Sequence, residues 1–588
     1  MDIFLKLKWF FKKERKTYLI GITSLVVVSM LQIITPYVIG RVVDDIKNQV
    51  LTKERLMMWI GLILSVALTQ YALRYIWRTN IWGGAARLEK TLRQRLFHHF
   101  TQMDTTFFQK YRTGDLMAHA TNDLNAIQNV AGAGILTFAD SLVNGGAVIV
   151  AMILFVDWRL TLIALLPLPL LAITSQKLGE SLHDAFRESQ ESFSKINDKT
   201  QESITGIKVI KTFGQEKEDL ASFQGEVDQA IVKINRVNFL DALLDPAITL
   251  IIGVSYVLTI IFGGKFIMEG SITIGQLITF IDYISMLVWP MFAIGRLFNV
   301  LQRGNASYDR VSELLGERSK IVEKTGSLAQ PVKGDISYDI ASFSYPNSQN
   351  HLALQQVHFS LPKGNTLGIV GKTGAGKTTL LKLLLREYDQ YTGEIQFGQH
   401  NIKDYALDSL LASIGYVPQD HFLFSMSIRD NIRFASPKAT EAQVEKVAKL
   451  TAIHEDILAM PEGYDTMVGE RGVSLSGGQK QRISIARALL LEPELLILDD
   501  ALSAVDAKTE EKILSNLKQE RQNQTTIITA HRLSSVMHAN EIIVIDEGRI
   551  SERGNHDQLL KQAGWYNKMF NEQQLEAKIE GGVSNERG

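Results

Sequence analysis

GKTGAGKT, residues 371–378, lies between the apolar stretch TLGIV (366–370) and the periodic stretch TTLLKLLLREY (378–388). The order is strand, glycine-rich turn, helix, and every specified position of the phosphate-loop spacing is met. Gly371, Gly374 and Gly376 let backbone N–H groups close around a polyphosphate, and the helix start adds its dipole. Lys377 is placed to reach the outer phosphates and Thr378 to offer its hydroxyl to Mg²⁺.

Such a loop needs a second strand whose terminal acid holds the Mg²⁺ shell. LLILDD (495–500) supplies it: four apolar residues run into two adjacent carboxylates. Asp499 is expected to serve the metal, and Asp500 stands where a carboxylate polarises an attacking water.

At 588 residues the chain is expected to hold at least two domains. A formal net charge of −1 offers no basic excess for a nucleic-acid backbone. The absence of cysteine excludes disulfides, thiolate metal sites and cysteine nucleophiles. Residues 18–40 carry no charge over 23 positions, enough to cross a bilayer core, and the run is too long for a secretory signal. Further apolar runs at about 56–76, 136–156, 160–178, 246–268 and 274–299 predict six crossings. Lys6, Lys8, Lys12, Lys13, Arg15 and Lys16 mark the N-terminal side as cytoplasmic, and an even number of crossings returns the C-terminus there. Ile3, Phe4, Leu5, Trp9, Phe10 and Phe11, interleaved with those lysines, predict a helix along the membrane surface. The external links are short and the internal links, 77–135 and 179–245, are long and charged. The expected organisation is a membrane domain over 1–317, a polar linker over 318–334, a nucleotide domain over 335–572 and a tail over 573–588.

VSLSGGQKQRISIARALL (473–490), taken with the phosphate loop, resembles the nucleotide-binding domain of ATP-binding-cassette transporters, and LSGGQ is that family's signature. The resemblance implies an all-α six-helix transmembrane domain of the type IV exporter kind, followed by an α/β P-loop nucleotide-binding domain. It implies ATP and Mg²⁺ as cofactors, a multi-pass protein of the plasma membrane, and membrane lipids as surroundings. ATP would lie on Tyr345, Gly371, Lys372, Thr373, Gly374, Ala375, Gly376, Lys377, Thr378 and Thr379. Ser476, Gly477, Gly478 and Gln479 would cover the ATP of a second subunit. Gln419, in YVPQD, resembles the glutamine that senses metal and water, and His531, in TAHRLS, the switch histidine at the γ-phosphate. Asp506 resembles the acid of the loop that communicates across the dimer, and Glu470 the exporter loop that meets the membrane helices. YRTGDLMAHATND (111–123) and ESITGIKVIKTFGQE (202–216) resemble the two coupling-helix regions.

One position departs from the family, which mostly has glutamate where this chain has Asp500. Its carboxylate is retracted by roughly 1 Å, a misplacement that costs about 10²-fold in rate. The signature is intact, so a homologous half-transporter with a glutamate would make one competent site beneath this chain's LSGGQ. That arrangement resembles heterodimeric bacterial multidrug exporters of the BmrCD and LmrCD kind. Asp140 and Asp282 lie within apolar segments, where an acid faces water, a partner or a ligand. With Phe138, Tyr283, Trp289 and Phe292 they suit amphipathic drugs, cationic ones among them. Competing readings are a homodimeric lipid or drug flippase and an ATP-gated channel or sensor.

Overall fold

The computed structural model describes residues 2–346, 348, 351–469 and 475–585, and the chain separates into two compact units. The first comprises Met1–Met103 and Lys110–Glu317, the second Asp104–Gln109 and Arg318–Gly588.

The first unit is helical throughout. Its long helices are α1 (Arg15–Lys47), α2 (Lys53–Thr101), α3 (Ile135–Phe155), α4 (Leu168–Thr205), α5 (Glu216–Met268) and α6 (Ile274–Gly316). At 49 residues α2 is about 73 Å long, more than twice a bilayer core of about 30 Å. The long charged links are therefore helices continuing beyond the apolar zone. Among the described residues, α1, α2, α5 and the run Thr113–Phe155 are long and apolar enough to cross a membrane. The fourth expected crossing falls on Trp158–Leu165 and the start of α4, where Pro167 interrupts the helix, and the sixth on α6 with its shorter apolar part Ile274–Pro290.

The turns joining α1 to α2 and α5 to α6 are built by caps. Thr52 accepts from Arg55 N–H to start α2, and Thr273 and Gln276 form a reciprocal capping box at the start of α6. Asp44, near the end of α1, accepts from the Thr273 hydroxyl (2.6 Å) and from Gly275 N–H (2.8 Å). A Cβ on Gly275 would stand 1.9 Å from the Gly40 carbonyl, so the two helices approach as only glycine permits. At the other extreme of the unit, Ile3, Leu7 and Phe10 are fully buried while Leu5 is exposed. The N-terminal surface segment thus has one face against the protein and one outward.

The second unit contains two sheets. A six-stranded sheet runs β10 (Arg549–Gly554), β9 (Glu541–Asp546), β3 (Thr366–Gly371), β8 (Thr525–Thr529), β7 (Leu495–Asp499), β6 (Ile414–Val417). It is parallel from β9 to β6, with β10 antiparallel at the edge. A four-stranded antiparallel sheet has the order β2 (Leu354–Leu361), β1 (Ile336–Phe343), β4 (Thr392–Phe397), β5 (His400–Asn401). β7 is buried at every residue, which explains its unbroken apolar run. Because β3, β8 and β7 are adjacent and parallel, the loops after their carboxyl ends share one edge, where ligands bind in open α/β sheets.

The polypeptide ends differently from expectation. Residues 573–585, read as a tail, continue the last helix, Trp565–Asn585. Trp565, Met569 and Phe570 pack on the core of this unit, which gives the helix a reason to persist.

Candidate functional site

The phosphate loop joins β3 to helix α7 (Lys377–Leu384). Gly371, Gly374 and Gly376 have φ of 148°, 83° and 109°, and a Cβ on Gly371 would meet the Ile545 carbonyl at 2.2 Å. Only glycine lets the chain turn here while lying against β9. Lys377 Nζ donates to the carbonyls of Gly371 (2.8 Å) and Lys372 (3.0 Å), gathering the loop around its own lysine. Burial holds that ammonium below the usual lysine range, with Asp500 and Asp499 acting in the opposite sense. Ala375 is buried, and its carbonyl accepts from Gly548 N–H (2.9 Å). Lys372 and Thr373 form the exposed outer side of the loop.

Asp499 ends β7, buried, one strand from its neighbour Thr529 on β8. Its Oδ1 accepts from the Thr529 hydroxyl (2.6 Å) and the Thr378 hydroxyl (3.3 Å), and its Oδ2 from Tyr416 OH (3.4 Å). Asp500 follows in the left-handed region, φ 51°. Its N–H donates to both the carbonyl and the hydroxyl of Thr529, each at 3.0 Å. The main chain at Asp500 is therefore fixed, and the reach of its carboxylate depends on side-chain length alone. Asp500, Ser503, Thr529 and His531 line a cavity of about 90 Å³, room for several water molecules.

Other expected residues divide clearly. Gln419 and His531 are exposed just beyond the ends of β6 and β8. Ser476 caps helix α8 (Gly477–Leu489) through a capping box with Gln479, leaving Gly477 and Gly478 at the helix start. Asp506 caps helix α9 (Ala507–Glu520) by accepting from Thr509 N–H (3.0 Å), and that bond holds its carboxyl below the usual range. Tyr345 is half-buried, its OH 2.8 Å from the Thr379 hydroxyl. Glu470 lies outside the described residues. Sequence reasoning missed Thr529, which serves both acids, and Gln481, which ties α8 to the loop before α9 through Ala504 N–H (2.9 Å) and Ser503 Oγ (3.2 Å). It also missed His421, both of whose ring nitrogens are buried without a hydrogen bond among the described residues.

The family models "ABC transporter transmembrane region" and "ABC transporter" match residues 18–291 and 354–503 respectively. The chain is 44% identical over 585 residues to "Multidrug resistance-like ATP-binding protein MdlA" of Escherichia coli (strain K12), covering 100% of this chain and 99% of the relative. The chain belongs to the ABC exporters. It is also 43% identical over 580 residues to "Probable multidrug resistance ABC transporter ATP-binding/permease protein YheI" of Bacillus subtilis (strain 168), covering 98% and 99%. Among solved structures it resembles "Structure of a bacterial Atm1-family ABC exporter with ATP bound", with a TM-score of 0.77, 26% identity, and 95% and 98% of the two chains covered. The fold is accordingly the type IV exporter fold, and this exporter's nucleotide domain binds ATP with Mg²⁺ and couples hydrolysis to transport. Its residues fit that ligand: a glycine cradle that a Cβ would fill, and a Thr378–Asp499 oxygen pair at its base. Bound Mg²⁺ would neutralise phosphate charge there.

Residues 104–109, just before the stretch 111–123, belong to the second unit. Gln109 Nε2 donates to Tyr388 OH (2.8 Å), and Asp104 accepts from Ser319 Oγ (3.1 Å) and from Lys320 N–H. The Tyr388 ring meets Tyr345 edge-on at 5.4 Å. Residues 113–134 form α-helical turns interrupted by π-helical turns at His119–Asp123 and Val130–Gly134. The second expected coupling region contains the short helix Ile207–Phe213, none of whose residues is buried.

Asp140 and Asp282 are half-buried in α3 and α6. Asp140 makes no hydrogen bond or ion pair among the described residues. Trp289 and Phe138 are exposed, whereas Tyr283 is fully buried with its OH on the Ile33 carbonyl (3.0 Å). Tyr283 thus serves packing between α6 and α1 rather than the drug-facing role expected of it. The side chain of Phe292 lies outside the described residues.

Proposed function

We propose that this chain is one half of a heterodimeric multidrug exporter in the plasma membrane, with both termini cytoplasmic, and that its own ATP site is the slow one. The observation that carries the reading is Asp500. Its backbone is tied to β8 by two hydrogen bonds, so no main-chain shift offsets the missing methylene. A retraction of roughly 1 Å lowers turnover about 10²-fold. The competent site forms where Ser476, Gly477, Gly478 and Gln479 cover ATP held by a partner that carries a glutamate. The exposed apolar residues Ile207, Val209 and Phe213 on the Ile207–Phe213 helix supply a tip for that partner to cover.

In this reading Tyr345 stacks on adenine, residues 371–379 hold the phosphates, and Gln419 joins Thr378 and Asp499 at the metal. His531 reports the γ-phosphate, while Glu470 and Asp506 transmit closure. ATP favours the outward-open state by binding the closed nucleotide dimer better than the separated one. Amphipathic drugs are the substrates, in keeping with the names of the relatives, and Asp140 and Asp282 contact the cationic ones. The deciding experiment purifies the chain alone and with a candidate partner, and measures ATPase and dye efflux. Activity that needs the partner's glutamate and tolerates Asp500→Asn supports the assignment. Full-speed transport by the chain alone refutes it.

A further inference from the structure

The loop after β8 carries His531 and has to hold it at the edge of the cavity that Asp500 lines. On one side this loop is anchored to α9 and the segment before it: Arg532 Nη1 donates to the Val505 carbonyl (3.2 Å) and Ser535 Oγ to Glu510. On the other it meets the terminal helix α10 (Trp565–Asn585). The helix start is fixed by Glu552, which accepts from the N–H groups of Trp565 and Tyr566. Tyr566 is fully buried, its OH 2.8 Å from His556 Nδ1, and the His556 ring stands edge-on to Phe570 at 5.1 Å. Residues 566, 570 and 573 share one helical face, so docking the first two aims the third inward. That third residue is Gln573. Its Oε1 accepts from Leu533 N–H and its Nε2 donates to the His531 carbonyl, both at 2.9 Å.

We propose that Gln573 is a positioning residue for the hydrolysis reaction: the terminal helix brackets the switch loop through one amide and sets where His531 stands. The amide meets the loop as a peptide unit of a neighbouring strand would, donor to carbonyl and acceptor to N–H. Among the described residues neither the Leu533 N–H nor the His531 carbonyl has another hydrogen bond, so a residue that offers one of the two groups makes half the clamp. Asp500→Glu is used as the background, because it extends the acid that limits this chain's own site.

The role assigned to His531 comes from the proposed function, and the experiment separates the two ideas. Single-site ATP turnover, ATP KM and hydrogen–deuterium exchange over 529–536 are measured for Gln573→Ala, Gln573→Leu and Gln573→Glu, beside His531→Ala. Each hydrogen bond removed is expected to lower turnover about fivefold, with Gln573→Glu falling between wild type and Gln573→Ala, at unchanged KM. Exchange at Leu533 speeds up in Gln573→Ala and Gln573→Leu and stays slow in Gln573→Glu, which keeps the acceptor. Wild-type exchange and turnover in both Gln573→Ala and Gln573→Leu overturn the clamp. Unchanged turnover in His531→Ala together with fast exchange in Gln573→Ala retires the reading of His531 and limits the amide to holding the loop.

Discussion

Replacing Asp500 by glutamate tests the chemistry at its narrowest point. The main chain there is held at φ 51° by two 3.0 Å bonds from its N–H to Thr529, so the added methylene translates into reach and little else. Recovering roughly 1 Å is worth up to about 10²-fold in rate, or about 2.7 kcal/mol in the barrier. A second effect opposes it. Aspartate tolerates the left-handed region better than glutamate, whose backbone there costs about 1 kcal/mol. That penalty falls on stability, since both ground and transition states contain the same backbone. Asp500→Glu is therefore expected to raise this site's turnover about 10- to 100-fold while lowering the Tm of the nucleotide domain slightly. The assay is ATP hydrolysis by the proposed heterodimer with the partner's glutamate changed to glutamine, so that background turnover belongs to the Asp500 site. Turnover equal to or below that of the aspartate form, with ATP still bound, would show that side-chain reach does not limit the reaction.

Asp44→Ala leaves Thr273 and the Gly275 N–H without their acceptor in a buried place, and should cost about 2 kcal/mol, read as a fall in the Tm of the detergent-solubilised exporter. Gln109→Ala and Tyr388→Phe each remove the same 2.8 Å bond, so each should lower the Tm of the exporter by a similar amount, and the double variant should be no worse than either single. Additive losses would mean that the two side chains act separately. Glu387 is raised above the usual carboxylate range by burial, and its Oε2 has no hydrogen-bond partner among the described residues. Its folded state holds the proton more tightly than its unfolded state, so its contribution to stability is lost as pH rises through the folded pKa. Glu387→Leu should remove that slope and stabilise the domain by about 1 kcal/mol near neutral pH, measured by thermal unfolding across pH.

What was legible in the chain tracks how local the physics is. GKTGAGKT and LLILDD declare themselves because a glycine turn, a buried strand and a helix start are written within a dozen residues, and the structure places their Thr378 and Asp499 3.3 Å apart. LSGGQ is likewise local, since Ser476 and Gln479 form their own capping box. Thr529 was not legible as a support for both acids, because its position beside Asp499 depends on β8 inserting between β3 and β7. The contact of Gln109 with Tyr388 spans 279 positions, and a polar glutamine in a charged link carries no mark of it. The same holds at the C-terminus. Trp565, Tyr566 and Phe570 could have been read as an anchored helix face, but the two groups that Gln573 serves are backbone atoms of a loop 40 and 42 positions away. Chemistry that touches nucleotide is thus written in motifs, while the contacts that aim it are made by ordinary polar residues whose partners only the fold brings near. An exporter of this kind can therefore keep every recognised motif and still be detuned by a single amide in its last helix.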